Sequence, residues 1–207
     1  MEMLERYYKK SDEAATKQPF RCEGYVQDGV LTNDRHEDVL MEKVPPFLRT
    51  LIVTDGTVTK TLEAYYWEPV SVDILEQGLR QAKFPIPWLD VQKAEEILIR
   101  KVHLRGVNSG KIYATATSVI RPSVIPVEQR KRLLDRSIGI GALIRDTGLE
   151  SYRELLEVGL EHSLAYMHID DIAKPQILDL VYRTYRIFMG GKPALLITEI
   201  FPWKLYQ

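Results

Sequence analysis

Cysteine is almost absent from this chain: Cys22 stands alone among 207 residues, so neither an intramolecular disulfide nor a thiolate-built zinc site can form. A chain without disulfides suits a reducing compartment, and the expected location is the cytoplasm. A charge surplus is missing too. Lys and Arg number 28 against 29 Asp and Glu, a formal charge of -1, which leaves no general field to draw the protein to nucleic acid or to an anionic membrane. No run of about 18 apolar residues occurs, and the opening MEMLERYYKKSDEAATKQ scatters charges where a signal peptide needs an apolar core. Neither membrane spanning nor secretion is therefore expected. Histidine is scarce, and His36, His103, His162 and His168 show no HExxH or comparable ligand spacing, so no metal site is expected. A GxSxG elbow, a GxxxxGK[ST] loop and a GxGxxG after a strand are all lacking, which removes the common signatures of serine hydrolases and of nucleotide binding.

What remains is an ordinary globular composition, 45% apolar and 28% charged, able to build a sizeable core. The length fits one domain over 1–207, and no linker divides it. Gln18 to Lys43 mixes Gly24, Gly29, Asn33 and many charges without a steady period and is expected to be irregular. From Pro45 the pattern changes. PPFLRTLIVTD reads as a short helix started by Pro, Asp55-Gly56 as a turn, and TVTKTLEAYYW as a second helix. VSVDILEQGL, EILIRKVHLRG and KIYATATSVI read as strands, the last two joined as a hairpin through Val107-Asn108-Ser109-Gly110. PVEQRKRLLDRS and SYRELLEVGL read as helices. LVYRTYRIFM, then Gly190-Gly191, then KPALLITEIF form the clearest hairpin. The sum is an α+β fold, an antiparallel sheet with helices packed against it.

Strand alternation supplies the sharpest functional clue. On EILIRKVHLRG, Leu98, Arg100, Val102 and Leu104 share one face, so Arg100 points where its neighbours are apolar. On PALLITEIF, Glu199 sits with Leu195, Ile197 and Phe201, and the opposite face is nearly as apolar. Buried charges are costly unless paired or engaged by a ligand. Two readings follow: Arg100 and Glu199 neutralise each other, or the guanidinium clamps a carboxylate and the carboxyl group sits at the far end of a slot between sheet and helices. Tyr65, Tyr66, Tyr182 and Tyr185 with Arg183 and Arg186 are the ordinary content of helices and of a strand with one wet face, and no nucleic-acid partner is expected. The backbone amides of Gly139-Ile140-Gly141, next to a helix start, can donate to an anion.

Several segments together resemble the chorismate pyruvate-lyases, including their archaeal, cyanobacterial and mycobacterial relatives. They are DGTVTKTLEAYY, Leu98-Ile99-Arg100-Lys101-Val102, SVIRP, SIGIGALI and the ending GGKPALLITEIFP. The likeness runs over 45–201 and leaves 1–44 as an extension that carries none of it. It implies a six-stranded antiparallel sheet and removal of pyruvate from chorismate to leave 4-hydroxybenzoate, with no metal or organic cofactor. By position, Arg100 matches the carboxylate-binding Arg of that family and Glu199 the carboxyl residue at the ring-oxygen end of the ligand. Val58 with Thr59, and Ile140 with Gly141, match substrate contacts made largely through the main chain. Apolar flanks imply that Glu199 stays protonated and donates a hydrogen bond to the ether oxygen. Where bacterial members carry a further Arg this chain has Thr117, and Arg121 replaces a Pro, so Arg183 or Arg186 is left to hold a second carboxylate. The same fold resembles the effector-binding domains of some bacterial transcription regulators, which makes a ligand-sensing module the rival reading.

Overall fold

The structure is a computed structural model that describes residues 5, 8, 29–32, 38–54, 56–169 and 172–207, without the side chains of 31–32, 162–169 and 172–178. Two short strands, β1 (Val30–Thr32) and β2 (Asp38–Leu40), pair antiparallel. Short strands thus stand inside the stretch expected to be irregular; the rest of Gln18 to Lys43, apart from Gly29 and a 3-10 turn at Met41–Lys43, lies outside the described residues. Helices α1 (Pro46–Val53) and α2 (Val58–Tyr66) follow. Pro46 opens α1, where a missing N–H costs nothing. Gly56 is a bend between them, and Asp55 of the expected turn lies outside the described residues.

The main sheet has six antiparallel strands: β3 (Val70–Gln81), β4 (Glu96–Gly106), β5 (Ile112–Ile120), β6 (Ser151–Ile169), β7 (Ile172–Met189) and β8 (Lys192–Pro202). Their spatial order is β3-β4-β5-β8-β7-β6. Helices α3 (Val127–Leu134) and α4 (Ile140–Asp146) lie between β5 and β6 in the chain. Gly190 and Gly191, at φ of +57° and +75°, make the two-residue turn between β7 and β8, the positive-φ pair that matches the twist of a hairpin.

One expectation is overturned. SYRELLEVGL, expected as a helix, is the first half of β6, paired along β7 from Ser151↔Met189 to Ile169↔Ile172. Leu and Glu carry good helix propensity, but a long strand beside them offers a ladder of backbone partners and a face to bury, and tertiary context outweighs propensity.

One face of the sheet meets the helices through two groups of buried side chains. Leu48, Leu51, Ile52, Val58 and Leu62 from α1 and α2 pack on Val102, Leu104, Ala116 and Phe201. Leu133, Ile138 and Leu143 from the α3–α4 region pack on Leu98, Ile120, Ile187, Leu195 and Ile197. The other face is covered by Tyr8 and by Ala82, Ile86, Trp88, Leu89 and Val91. With both faces covered, β7 is buried on both sides, from Tyr182 at 0% to Tyr185 at 8% exposure. The expected wet face is not there over Val181 to Tyr185.

Candidate functional site

The two helical groups leave a cavity of about 430 Å³ between them, floored by the sheet, within the usual size for small-ligand sites. The floor follows from strand register. One row across the sheet runs Val102, Ala116, Glu199, Arg183, Val158 and the next runs Gln77, Arg100, Ser118, Ile197, Tyr185, Leu155. Arg100 and Ser118 are cross-strand neighbours, and Glu199 stands one row away beside Ala116. All six residues singled out from the sequence, Val58, Thr59, Arg100, Ile140, Gly141 and Glu199, line this cavity.

Arg100 is 4% exposed. Its Nη1 donates to the Ile138 carbonyl at 3.3 Å, and among the described residues no carboxylate lies within ion-pair distance of it. Burial, with the like charge of Arg136 behind it, pushes the guanidinium below its ordinary value. A buried cation facing a cavity without an acidic partner favours an anionic ligand.

Glu199 has a different partner from the one expected. Arg183 Nε donates to Glu199 Oε2 at 2.8 Å and the Tyr185 hydroxyl to Oε1 at 3.2 Å. Mutual neutralisation of Arg100 and Glu199 is excluded by this geometry. Both carboxylate oxygens therefore accept from buried donors on β7. Tyr185 keeps its proton, because burial and then the negative charge of Glu199 push its hydroxyl far up.

Two helix starts form the cavity rim: Gly56 to Lys60 at the start of α2, and Gly139 to Ala142 at the start of α4. Thr57, the residue before α2, makes no capping hydrogen bond with its side chain, which leaves first-turn N–H groups without an intrahelical acceptor. Lys60, Arg145 and Arg153 complete the charged lining. Sequence reasoning missed Arg153 because its strand was expected as a helix, and missed Tyr185 because its strand was expected to have a wet face. The alternation Val181, Arg183, Tyr185, Ile187 carries the signal for Tyr185.

The alternatives considered for a second carboxylate fall away. Arg183 is committed to Glu199, and Arg186 pairs with Glu154 and donates to the Trp88 carbonyl at 3.1 Å. Ala116 and Ser118 line the cavity while Thr117 between them does not; its carbonyl accepts from the Tyr8 hydroxyl at 3.3 Å on the opposite face. Arg121 pairs with Glu95 at 2.9 Å. Among the described residues no cluster of His, Cys, Asp and Glu suited to a metal ion occurs, and no helix is long and apolar enough to cross a membrane.

A family model described as chorismate pyruvate-lyase Rv2949c-like matches residues 52–207. The chain belongs to this family. Every cavity-lining residue of this Rv2949c-like chain falls inside the matched span. A chorismate pyruvate-lyase of Mycobacterium leprae is 32% identical over 170 residues, covering 81% of this chain and 79% of the relative. Another, from Mycobacterium tuberculosis H37Rv, is 25% identical over 167 residues, covering 79% and 83%. Among solved structures, PhnF of Mycobacterium smegmatis superposes with a TM-score of 0.50 at 11% identity, covering 89% of this chain and 78% of that one, a likeness of fold alone.

Proposed function

We propose that the protein is a chorismate pyruvate-lyase, releasing pyruvate from chorismate to leave 4-hydroxybenzoate without a metal or organic cofactor. The observation that carries the reading is Arg100: a buried guanidinium on the cavity floor with no carboxylate partner among the described residues, in a chain whose family bears that activity in its name. The planar fork of Arg100 holds the ring carboxylate. Main-chain groups of Val58 and Thr59 at the start of α2, and of Ile140 and Gly141, bind the ligand from the rim. Chorismate is a dianion. Lys60, Arg100, Arg145 and Arg153 line the cavity against one carboxylate, Glu199, whose charge Arg183 already balances.

The chemistry asks little of the enzyme. The ether C–O bond breaks with its electron pair on the departing enolpyruvate oxygen, and one ring C–H proton is lost as its electron pair completes the aromatic ring. Enolpyruvate then takes up a proton at its methylene carbon and becomes pyruvate. Orientation and exclusion of water supply much of such a rate enhancement. Glu199, with oxygens oriented by Arg183 and Tyr185, is suited to hold the ring hydroxyl and to receive a proton.

Incubating the purified protein with chorismate, before and after exhaustive chelation, and following pyruvate and 4-hydroxybenzoate tests this. Both products should accumulate in equal amounts, with the chelated protein as active as the untreated one. Tight binding of chorismate or 4-hydroxybenzoate without turnover would instead support the sensing reading.

A further inference from the structure

Arg183 lies behind the cavity wall and reaches two elements at once. It is 1% exposed at the centre of β7. Its Nε holds Glu199, while Nη1 donates to the carbonyls of Ile52 at 3.1 Å and Thr54 at 2.7 Å. Those two carbonyls belong to the C-terminal end of α1, where no further turn supplies N–H groups and the helix dipole is negative. Two positions beyond Thr54 is the bend at Gly56, whose N–H donates to Thr54 Oγ1 at 3.1 Å, and then comes the start of α2 on the cavity rim. One rigid, planar cation therefore fixes the carboxylate on the cavity floor and the chain that forms its wall. A flexible ammonium cannot reproduce that fork.

We propose that Arg183 is a positioning residue that couples the orientation of Glu199 to the cavity wall at Gly56 to Val58, so that the two are set together around the ligand. The inference deepens the lyase reading and rests on it for its kinetic consequence, though not for its structural one. Nη2 of Arg183 makes no hydrogen bond among the described residues, and the guanidinium is held by Glu199, by the two carbonyls and by the Tyr185 ring, whose centroid lies 4.8 Å from Cζ. Arg186, three residues on, faces the other way and carries no such link.

The test is Arg183→Lys, with the double variant Arg183→Met/Glu199→Gln as a form that leaves no unbalanced buried charge should the single variant fail to fold. Amide hydrogen exchange, 4-hydroxybenzoate affinity, and kcat and KM for chorismate are read on one preparation. In whichever variant folds, exchange should quicken about tenfold or more across residues 54–60 and remain parental across β5. In Arg183→Lys, kcat should fall about tenfold or more, with KM moving less than about threefold, the signature of a disturbed transition-state geometry. Parental exchange at 54–60 in a folded variant overturns the proposal, as does quickening spread evenly over the sheet, which marks a mere scaffold residue. If the parent protein itself fails to turn over chorismate, the lyase reading falls, and the exchange measurement still decides the coupling.

Discussion

Arg183 and Glu199 face each other in register on adjacent strands, Nε to Oε2 at 2.8 Å, with side chains only 2% and 7% exposed. That pairing leaves Arg100, one row from Glu199 across the sheet, as the buried cation open to a ligand among the described residues. The division of labour separates the expected consequences of altering each residue.

Replacing Glu199 by Gln keeps one acceptor for Arg183 but removes the charge that balances it. Stability should fall by about 1.5–3 kcal/mol, the scale of a hydrogen bond to a charged group, as read by denaturant unfolding. Turnover of chorismate should fall by about 10²-fold or more in single-turnover experiments, because the amide cannot receive a proton. Parental turnover in this variant would remove Glu199 from the chemistry.

At Arg100 the opposite balance is expected, since no acidic partner is stranded by its replacement. Arg100→Lys should melt within a few degrees of the parent, yet bind 4-hydroxybenzoate about tenfold more weakly, equivalent to about 1.4 kcal/mol. Calorimetry on the folded variant decides it, and unchanged affinity would refute the carboxylate clamp.

Acid sensitivity should centre on Glu68. Its carboxylate accepts from the Tyr113 hydroxyl and from the N–H groups of Ser109 at 3.0 Å and Asn108 at 2.7 Å, and these bonds hold its pKa down to about 2 from 4.5. The folded value lies below the unfolded one, so the stabilisation is complete above about pH 4.5 and is lost as pH falls toward 2. Melting curves across that window should show Glu68→Gln with a shallower acid loss than the parent. An identical slope would mean that the clamp on the β4–β5 turn contributes nothing.

Gly159 is the position where added bulk should do most harm. A Cβ there would stand 2.4 Å from the ring of Tyr182, a side chain with no exposed surface. Gly159→Ala should destabilise the fold by about 1–3 kcal/mol, the usual range for overpacking a filled core. Combining it with Tyr182→Leu should recover part of the loss, whereas simple addition of the two losses would show that the contact is not the cause.

Much of the architecture was legible in local pattern: the helices started at Pro46 and near Thr57, the strands around Arg100 and Glu199, and the glycine hairpin at 190–191 all follow from period, turn chemistry and propensity. Which strand face Arg100 and Glu199 occupy was legible too, because alternation along a strand is set by the backbone. Neighbours were not. Strands lie about 4.8 Å apart, so an ion pair joins side chains on adjacent strands far more readily than across an intervening one. The order β4-β5-β8-β7 places β5 between Arg100 and Glu199 and puts Arg183 beside Glu199. That order is a matter of long-range pairing, as is the strand state of Ser151 to Leu160, where helix-prone residues take the edge that β7 leaves open. The sequence by itself determined that two charged residues would lie on apolar strand faces; only the tertiary structure decided that one is balanced by Arg183 and the other left for an anion, because hydrogen bonding between strands, not periodicity along them, chooses which side chains meet.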